Sequence, residues 1–163
     1  MRDLFLKEVE ESDYENYYLI RSEKENLFWT GYDKPPHKER FFNWFIDRIA
    51  DQQKHLYLLF DNKVCVGSLN VDFYNDYVAI GYSTITKYTG KGYATYLVGE
   101  SIRMVNEAKK RNPELKKIIA WINEQNKASK RVIENNGFQK SNVTEIRKRF
   151  GNEEIYYQFE IYL

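Results

Sequence analysis

The chain has 163 residues, 42% hydrophobic and 17% aromatic, enough apolar material for a core of its own and the length expected of one domain, residues 1–163. Lys and Arg total 25 against 24 Asp and Glu, so no net field favours nucleic acid or an anionic membrane, and charge-based binding must be local. Cys65 is the single cysteine and the two histidines lie far apart, which excludes an internal disulfide, leaves no metal-ligand cluster and fits a reducing cytoplasm.

The opening MRDLFLKEVEESDYENYY lacks a signal-peptide apolar block, and no later run has bilayer-spanning length. A soluble cytoplasmic protein is therefore expected. Residues 3–9 alternate as a strand, and SDYE at 12–15 has the form of a capping box, Ser12 at the cap and Glu15 reaching back, before a helix through Ile20. After a loop around GYDKPPH, residues 37–53 set Phe41, Phe45, Ile46, Ile49 and Ala50 at helical spacing. HLYLLF at 55–60, the turn DNK and then VCVGSLNVDFY predict a hairpin, and YVAIGYSTI follows as a third antiparallel strand. From Gly92 to about Lys110 an apolar stripe of Leu97, Val98, Ser101, Ile102 and Val105 predicts a helix, stopped by Asn112 and Pro113. KKIIAWI at 116–122 is a short buried strand, and the helical crossover before it predicts a parallel pair with the preceding strand. A helix at 127–136 ends at Gly137, and VTEIRKRF with EEIYYQFEIYL forms a closing hairpin. The fold class is α+β: a mostly antiparallel twisted sheet with one parallel pair and about four helices.

Between the third strand and the helix after it stands KYTGKGYATYL, residues 87–97. Glycines at a strand-to-helix junction let the backbone approach a ligand and aim successive N–H groups at one spot, and the helix N-terminus favours an anion, above all a phosphate. A Walker A loop needs a glycine where Ile85 stands, and a Ser or Thr where Gly92 stands. A dinucleotide fingerprint needs a third glycine where Thr95 stands. Both fail, and a mixed sheet with one crossover remains.

These residues resemble the GCN5-related N-acetyltransferases. That family's acetyl-coenzyme A motif, Gln/Arg, two residues, Gly, one residue, Gly/Ala, is matched at Lys87, Gly90 and Gly92, with Lys87 departing from the usual Gln/Arg. A second motif, Asn, two residues, Ser or Ala, and then Gly-Phe, is met by Asn126, Ser129, Gly137 and Phe138. The order of elements is similar over nearly the whole chain, and the stretch from Gly81 to Leu97 most resembles the branch holding ribosomal-protein N-terminal and spermidine acetyltransferases. The resemblance implies the family fold, with the parallel pair splayed at the coenzyme. It implies acetyl-CoA as co-substrate without a metal, and transfer to a primary amine of a small molecule (amino sugar or polyamine) or a protein N-terminus. A non-catalytic acyl-CoA sensor is the alternative, and a homodimer is compatible with either.

For the coenzyme, the resemblance implicates Thr84, Ile85, Thr86, Gly90, Lys91, Gly92, Tyr93, Ala94, Thr95, Asn126 and Ser129. N–H groups from Gly90 through Thr95 can nest a pyrophosphate, and a side chain at 90 or 92 would stand between backbone and phosphate. Lys87, Lys91, Lys130 and Arg131 could add charge. An N–H near Ile85 is expected to face the thioester carbonyl. The family's usual tyrosine donor is replaced by Ile133, leaving Ser129, one turn from Asn126, to protonate the thiolate. Ala79 and Trp121 stand where relatives carry glutamates, so Asp72, Tyr82, Glu124 or a water is left as base. Trp29, Tyr32, Asp33 and His37 are expected to bind the acceptor, with Glu23, Glu25 and Asp33 attracting a cationic amine.

Overall fold

The computed structural model describes residues 1–163. Its strands are β1 (Leu4–Glu8), β2 (Lys54–Asp61), β3 (Val64–Phe73), β4 (Tyr77–Thr84), β5 (Lys117–Asn123), β6 (Gln139–Arg149) and β7 (Asn152–Tyr162). Its helices are α1 (Tyr14–Ser22), α2 (Lys24–Thr30), α3 (Lys38–Ala50), α4 (Tyr93–Lys109) and α5 (Lys127–Asn135). One seven-stranded sheet runs in the order β1-β2-β3-β4-β5-β7-β6. Every pairing is antiparallel except β4 with β5, the pair joined through α4.

Two turns close hairpins with positive φ at both central residues, Asn62 and Lys63 (48° and 69°) and Phe150 and Gly151 (52° and 78°). That handedness matches the twist of the flanking strands, and the second turn begins at Phe150, one residue earlier than the Gly151–Asn152 break between the two strand sequences. Alternation along the strands then sorts side chains onto two faces. Leu59, Leu69, Val71, Val78, Ile80, Ile118, Ala120, Ile122 and Phe159 pack with Leu97, Val98 and Val105 of α4 and Ile133 of α5. On the opposite face Leu56 and Leu58 pack with Tyr14, Tyr17 and Ile20 of α1 and Phe45 of α3. No helix is long and apolar enough to cross a membrane.

The structure departs from sequence expectation at two local points. The first cap lies earlier than Ser12: the Asp13 carboxylate accepts the Glu10 N–H at 2.9 Å and pairs with Lys7 at 2.8 Å. Glu15 instead reaches Lys38 at 2.9 Å, tying α1 to α3. Both acids offer the same capping chemistry, and the strand lysine beside Asp13 decides between them. The second departure is α2, a fifth helix inside the segment expected as loop. It is short, buries only Leu27 and ends at Gly31 with φ +83°, so it carries no apolar stripe that a period could reveal.

Candidate active site

β4 and β5 are paired only from Tyr77–Lys117 to Ala79–Ile119. Beyond that they diverge, and a cleft of about 830 Å³ opens through the sheet between them. Its two ends belong to different faces, α4 and α5 on one side, α1 and α2 on the other.

At the α4 end the wall includes Thr89, Gly90, Gly92, Tyr93, Ala94 and Thr95. Gly90 and Gly92 have φ of +81° and +84°, the left-handed region that glycine enters freely. The first helical bond of α4 is Tyr96 N–H to the Gly92 carbonyl at 3.0 Å, and the N–H groups from Gly90 through Thr95 have no protein acceptor. A Cβ on Gly90 or Gly92 would meet no protein atom within 4 Å. The glycines are therefore needed for backbone conformation, and the space beside them is open. This run of free donors at a 17-residue helix suits a pyrophosphate such as that of coenzyme A. Lys87 and Lys91 lie outside the wall, each ammonium over the Tyr88 ring at 4.9 and 5.3 Å. Of the four expected cations only Arg131 lines the cleft.

The N–H of Ile85 does not face the gap. It bonds the Val66 carbonyl of β3 at 3.0 Å, because successive residues of an antiparallel strand address opposite neighbours. The same alternation turns the N–H groups of Tyr82 and Thr84 toward the gap. The Thr84 carbonyl accepts from the Asn26 amide at 3.3 Å, and the Thr86 N–H is taken by the Glu23 carboxylate at 2.9 Å.

Two hydroxyls meet across the gap. Tyr82 of β4 and Ser129 of α5 are 2.7 Å apart, and the Tyr82 hydroxyl also donates to the Ser129 carbonyl at 3.1 Å. Burial pushes the Tyr82 phenol up to about 12, with the Ser129 bond opposing it. A phenol that stays protonated at neutral pH is equipped to donate a proton rather than to accept one. Asn126 caps α5, its Oδ1 accepting the Ser129 N–H at 3.1 Å, and this cap holds Ser129 at the first turn.

At the other end the wall is built from side chains: Tyr17 and Arg21 of α1, Glu25, Asn26 and Trp29 of α2, Ser68 and Asn70 of β3, Trp121, Tyr156 and Arg147. Trp29 and Tyr32 thus line the cleft, but Asp33 and His37 do not. His37 caps α3, accepting the Arg40 N–H at 3.4 Å. The remaining base candidates are also displaced. Asp72 is taken up in an ion pair with Arg48 of α3, and Glu124 accepts from the Tyr157 hydroxyl at 3.4 Å; neither lines the cleft. Glu25 is the one carboxylate on the wall, and it accepts from the Trp29 indole at 3.0 Å.

Sequence reasoning missed the residue that holds this end together. Arg149 is buried on β6 and pairs with Glu154 through two bonds, one of 2.7 Å and one to the second carboxylate oxygen. It donates to the Phe28 carbonyl of α2 at 3.0 Å and lies 4.3 Å over the Phe28 ring. Glu154 also accepts from Asn123 at 2.5 Å. Arg149 is thus what fastens α2, with Trp29, to the closing hairpin. The three consecutive cations of RKRF carry no mark distinguishing it from the exposed Lys148.

Residues 3–139 match the family described as acetyltransferase (GNAT) domain. No curated protein matches the chain. Three similar solved structures are those of the Salmonella typhimurium protein yncA with its cofactor acetyl-CoA, the S. typhimurium acetyl transferase that modifies the N-terminal serine of ribosomal protein L7/L12, and spermidine N-acetyltransferase from Vibrio cholerae with CoA and spermine. Each is 15% identical and matches 98% of this chain, covering 93%, 95% and 95% of its own, with TM-scores of 0.76, 0.78 and 0.81. At that identity they show a shared fold. With a family match over most of its length, and a splayed strand pair beside a free-donor loop, the chain belongs to the acetyltransferase (GNAT) domain family, the enzymes that draw an acetyl group from acetyl-CoA.

Proposed function

We propose that the protein transfers the acetyl group of acetyl-CoA to a primary amine by direct attack with both substrates bound. The observation that carries this reading is one cleft holding both the unpartnered N–H groups of Gly90–Thr95 and the Tyr82–Ser129 hydroxyl pair. The glycine and alanine positions of the family's coenzyme motif are also met two residues later than Lys87, by Gly92 and Ala94, with Thr89 departing from the usual Gln/Arg, and all three of these line the cleft. The backbone from Gly90 to Thr95 holds the pyrophosphate, and Arg131 adds charge.

Acetyl-CoA supplies the thioester. N–H groups of Tyr82 and Thr84 on the open edge of β4 take the place expected of Ile85 in polarising the carbonyl. Forming the amide removes one proton from nitrogen and adds one to sulfur. Ser129, bonded to Tyr82, delivers the proton to sulfur, the Tyr82 phenol replenishes it, and solvent returns a proton to the phenolate as the products leave, while the proton taken from nitrogen passes to solvent. Glu25, or water beside it, accepts the proton from nitrogen.

Titration calorimetry with acetyl-CoA, followed by thiol release over a panel of primary amines, tests this reading. Micromolar binding and amine-dependent thiol release are expected. Absence of acetyl-CoA binding would overturn it, and binding without turnover on any amine would favour the sensor.

A further inference from the structure

The charged groups on the cleft wall are Arg21, Arg131, Arg147, Lys148 and Glu25, four cations against one carboxylate. This differs from the acidic mouth expected from the sequence. Glu23 is engaged by the Thr86 N–H, and Asp33 lies off the wall. With Arg131 at the α5 end, and the exposed Lys148 turned to the opposite face of β6 from Arg147 and Arg149, the α1–α2 end keeps Arg21 and Arg147 facing Glu25 alone. Arg147 is held by Glu145 at 2.8 Å and lies 4.6 Å over the Tyr156 ring. Arg21 differs: it forms no ion pair, and its buried Nε has no hydrogen-bond partner. A buried guanidinium nitrogen without an acceptor is costly, and carboxylate or phosphate oxygens fit its planar fork.

Resting on the acetyl-transfer reading above, we propose that the acceptor is a small amine that also carries an anionic group, a carboxylate or a phosphate ester. That group docks on Arg21, within the field of Arg147. Glu25 is left for the amine itself. A polyamine, cationic along its whole length, meets like charge at this end and is a poor substrate.

The test uses matched pairs with the intact protein and acetyl-CoA: the common free amino acids against their α-amides, glucosamine 6-phosphate against glucosamine, and spermidine. In at least one pair the anionic member should have kcat/KM at least about tenfold above its neutral twin, and which pair responds separates carboxylate from phosphate. Arg21→Ala should raise KM for that anionic member by about 10- to 100-fold and erase the preference, with acetyl-CoA affinity within about twofold. If no amine turns over, binding of the same pairs to the coenzyme A complex by calorimetry is the readout. Neutral twins or spermidine performing as well as the anionic amines would overturn the proposal. So would absent or equal binding of the twins, or an Arg21→Ala effect equal on both members. Failure of acetyl-CoA itself to bind overturns the acetyl-transfer reading and this proposal with it.

Discussion

At the α4 end of the cleft the groups on offer are consecutive unpartnered backbone N–H groups, placed by the left-handed φ of Gly90 and Gly92. At the α1–α2 end they are side chains drawn from α1, α2, β3, β5, β6 and β7, and the Arg149–Glu154 pair fastens α2 to the hairpin. The first end is a local object, so its geometry follows from a few neighbouring residues. The second exists only when six elements have docked. One end can therefore be damaged by a single φ angle, whereas the other is sensitive to anything that loosens α2.

Gly92→Val should give the largest effect and tests the local half. A β-branched residue is strained at φ +84° and places its side chain in the open space where a phosphate would lie. Acetyl-CoA binding by calorimetry should weaken by about a hundredfold or more while the circular dichroism spectrum is kept. Near-native affinity in a folded variant would break the contrast, because the loop would then not act through its backbone.

Tyr82→Phe tests the point where the halves meet. It leaves Ser129 without its phenol and should lower kcat by about 10- to 100-fold with the acetyl-CoA KM nearly unchanged. Because burial holds Tyr82 at about 12, the wild-type kcat/KM should rise with pH as the amine deprotonates, with no descending limb from Tyr82 up to about pH 10. A variant matching wild type would return the hydroxyl pair to a bridging role between β4 and α5.

The smallest effect belongs to the staple at the side-chain end. Hydrogen bonding from Arg149 holds the Glu154 carboxyl below its usual value of 4.5. A depressed carboxyl stabilises the fold above its unfolded value, and that contribution is lost as pH falls through the folded value. Wild-type Tm should therefore fall as pH drops below the carboxyl's ordinary value of 4.5, and Glu154→Gln should lower Tm at pH 7 by about a few °C and flatten that acid limb. The same variant should raise the amine KM more than the acetyl-CoA KM. Equal changes in both would show that α2 is not specific to the acceptor half.

Strands, α1, α3, α4, α5, the parallel β4–β5 pair and the glycine loop were legible in the sequence, because each rests on a short-range signal: period, hairpin turn, or a glycine at a helix boundary. α2 was not, since a short helix with one buried residue has no period to detect. The sequence also placed Trp29 and Tyr32 on the wall, but with them Asp33 and His37, which neighbour them in the chain and point elsewhere. Ile85 shows the limit most sharply: its place at the end of β4 is legible, but which neighbour its N–H addresses depends on the β3–β4 register that brings it to Val66. By itself, then, the sequence determined the family, the order of elements and the donor loop, all set by local conformation. Only the tertiary structure decided that Tyr82 meets Ser129, that Arg149 fastens α2, and that cations outnumber Glu25 at the α1–α2 end of the cleft. Those facts depend on residues far apart in the chain, and their spacing along it leaves no trace of which will meet.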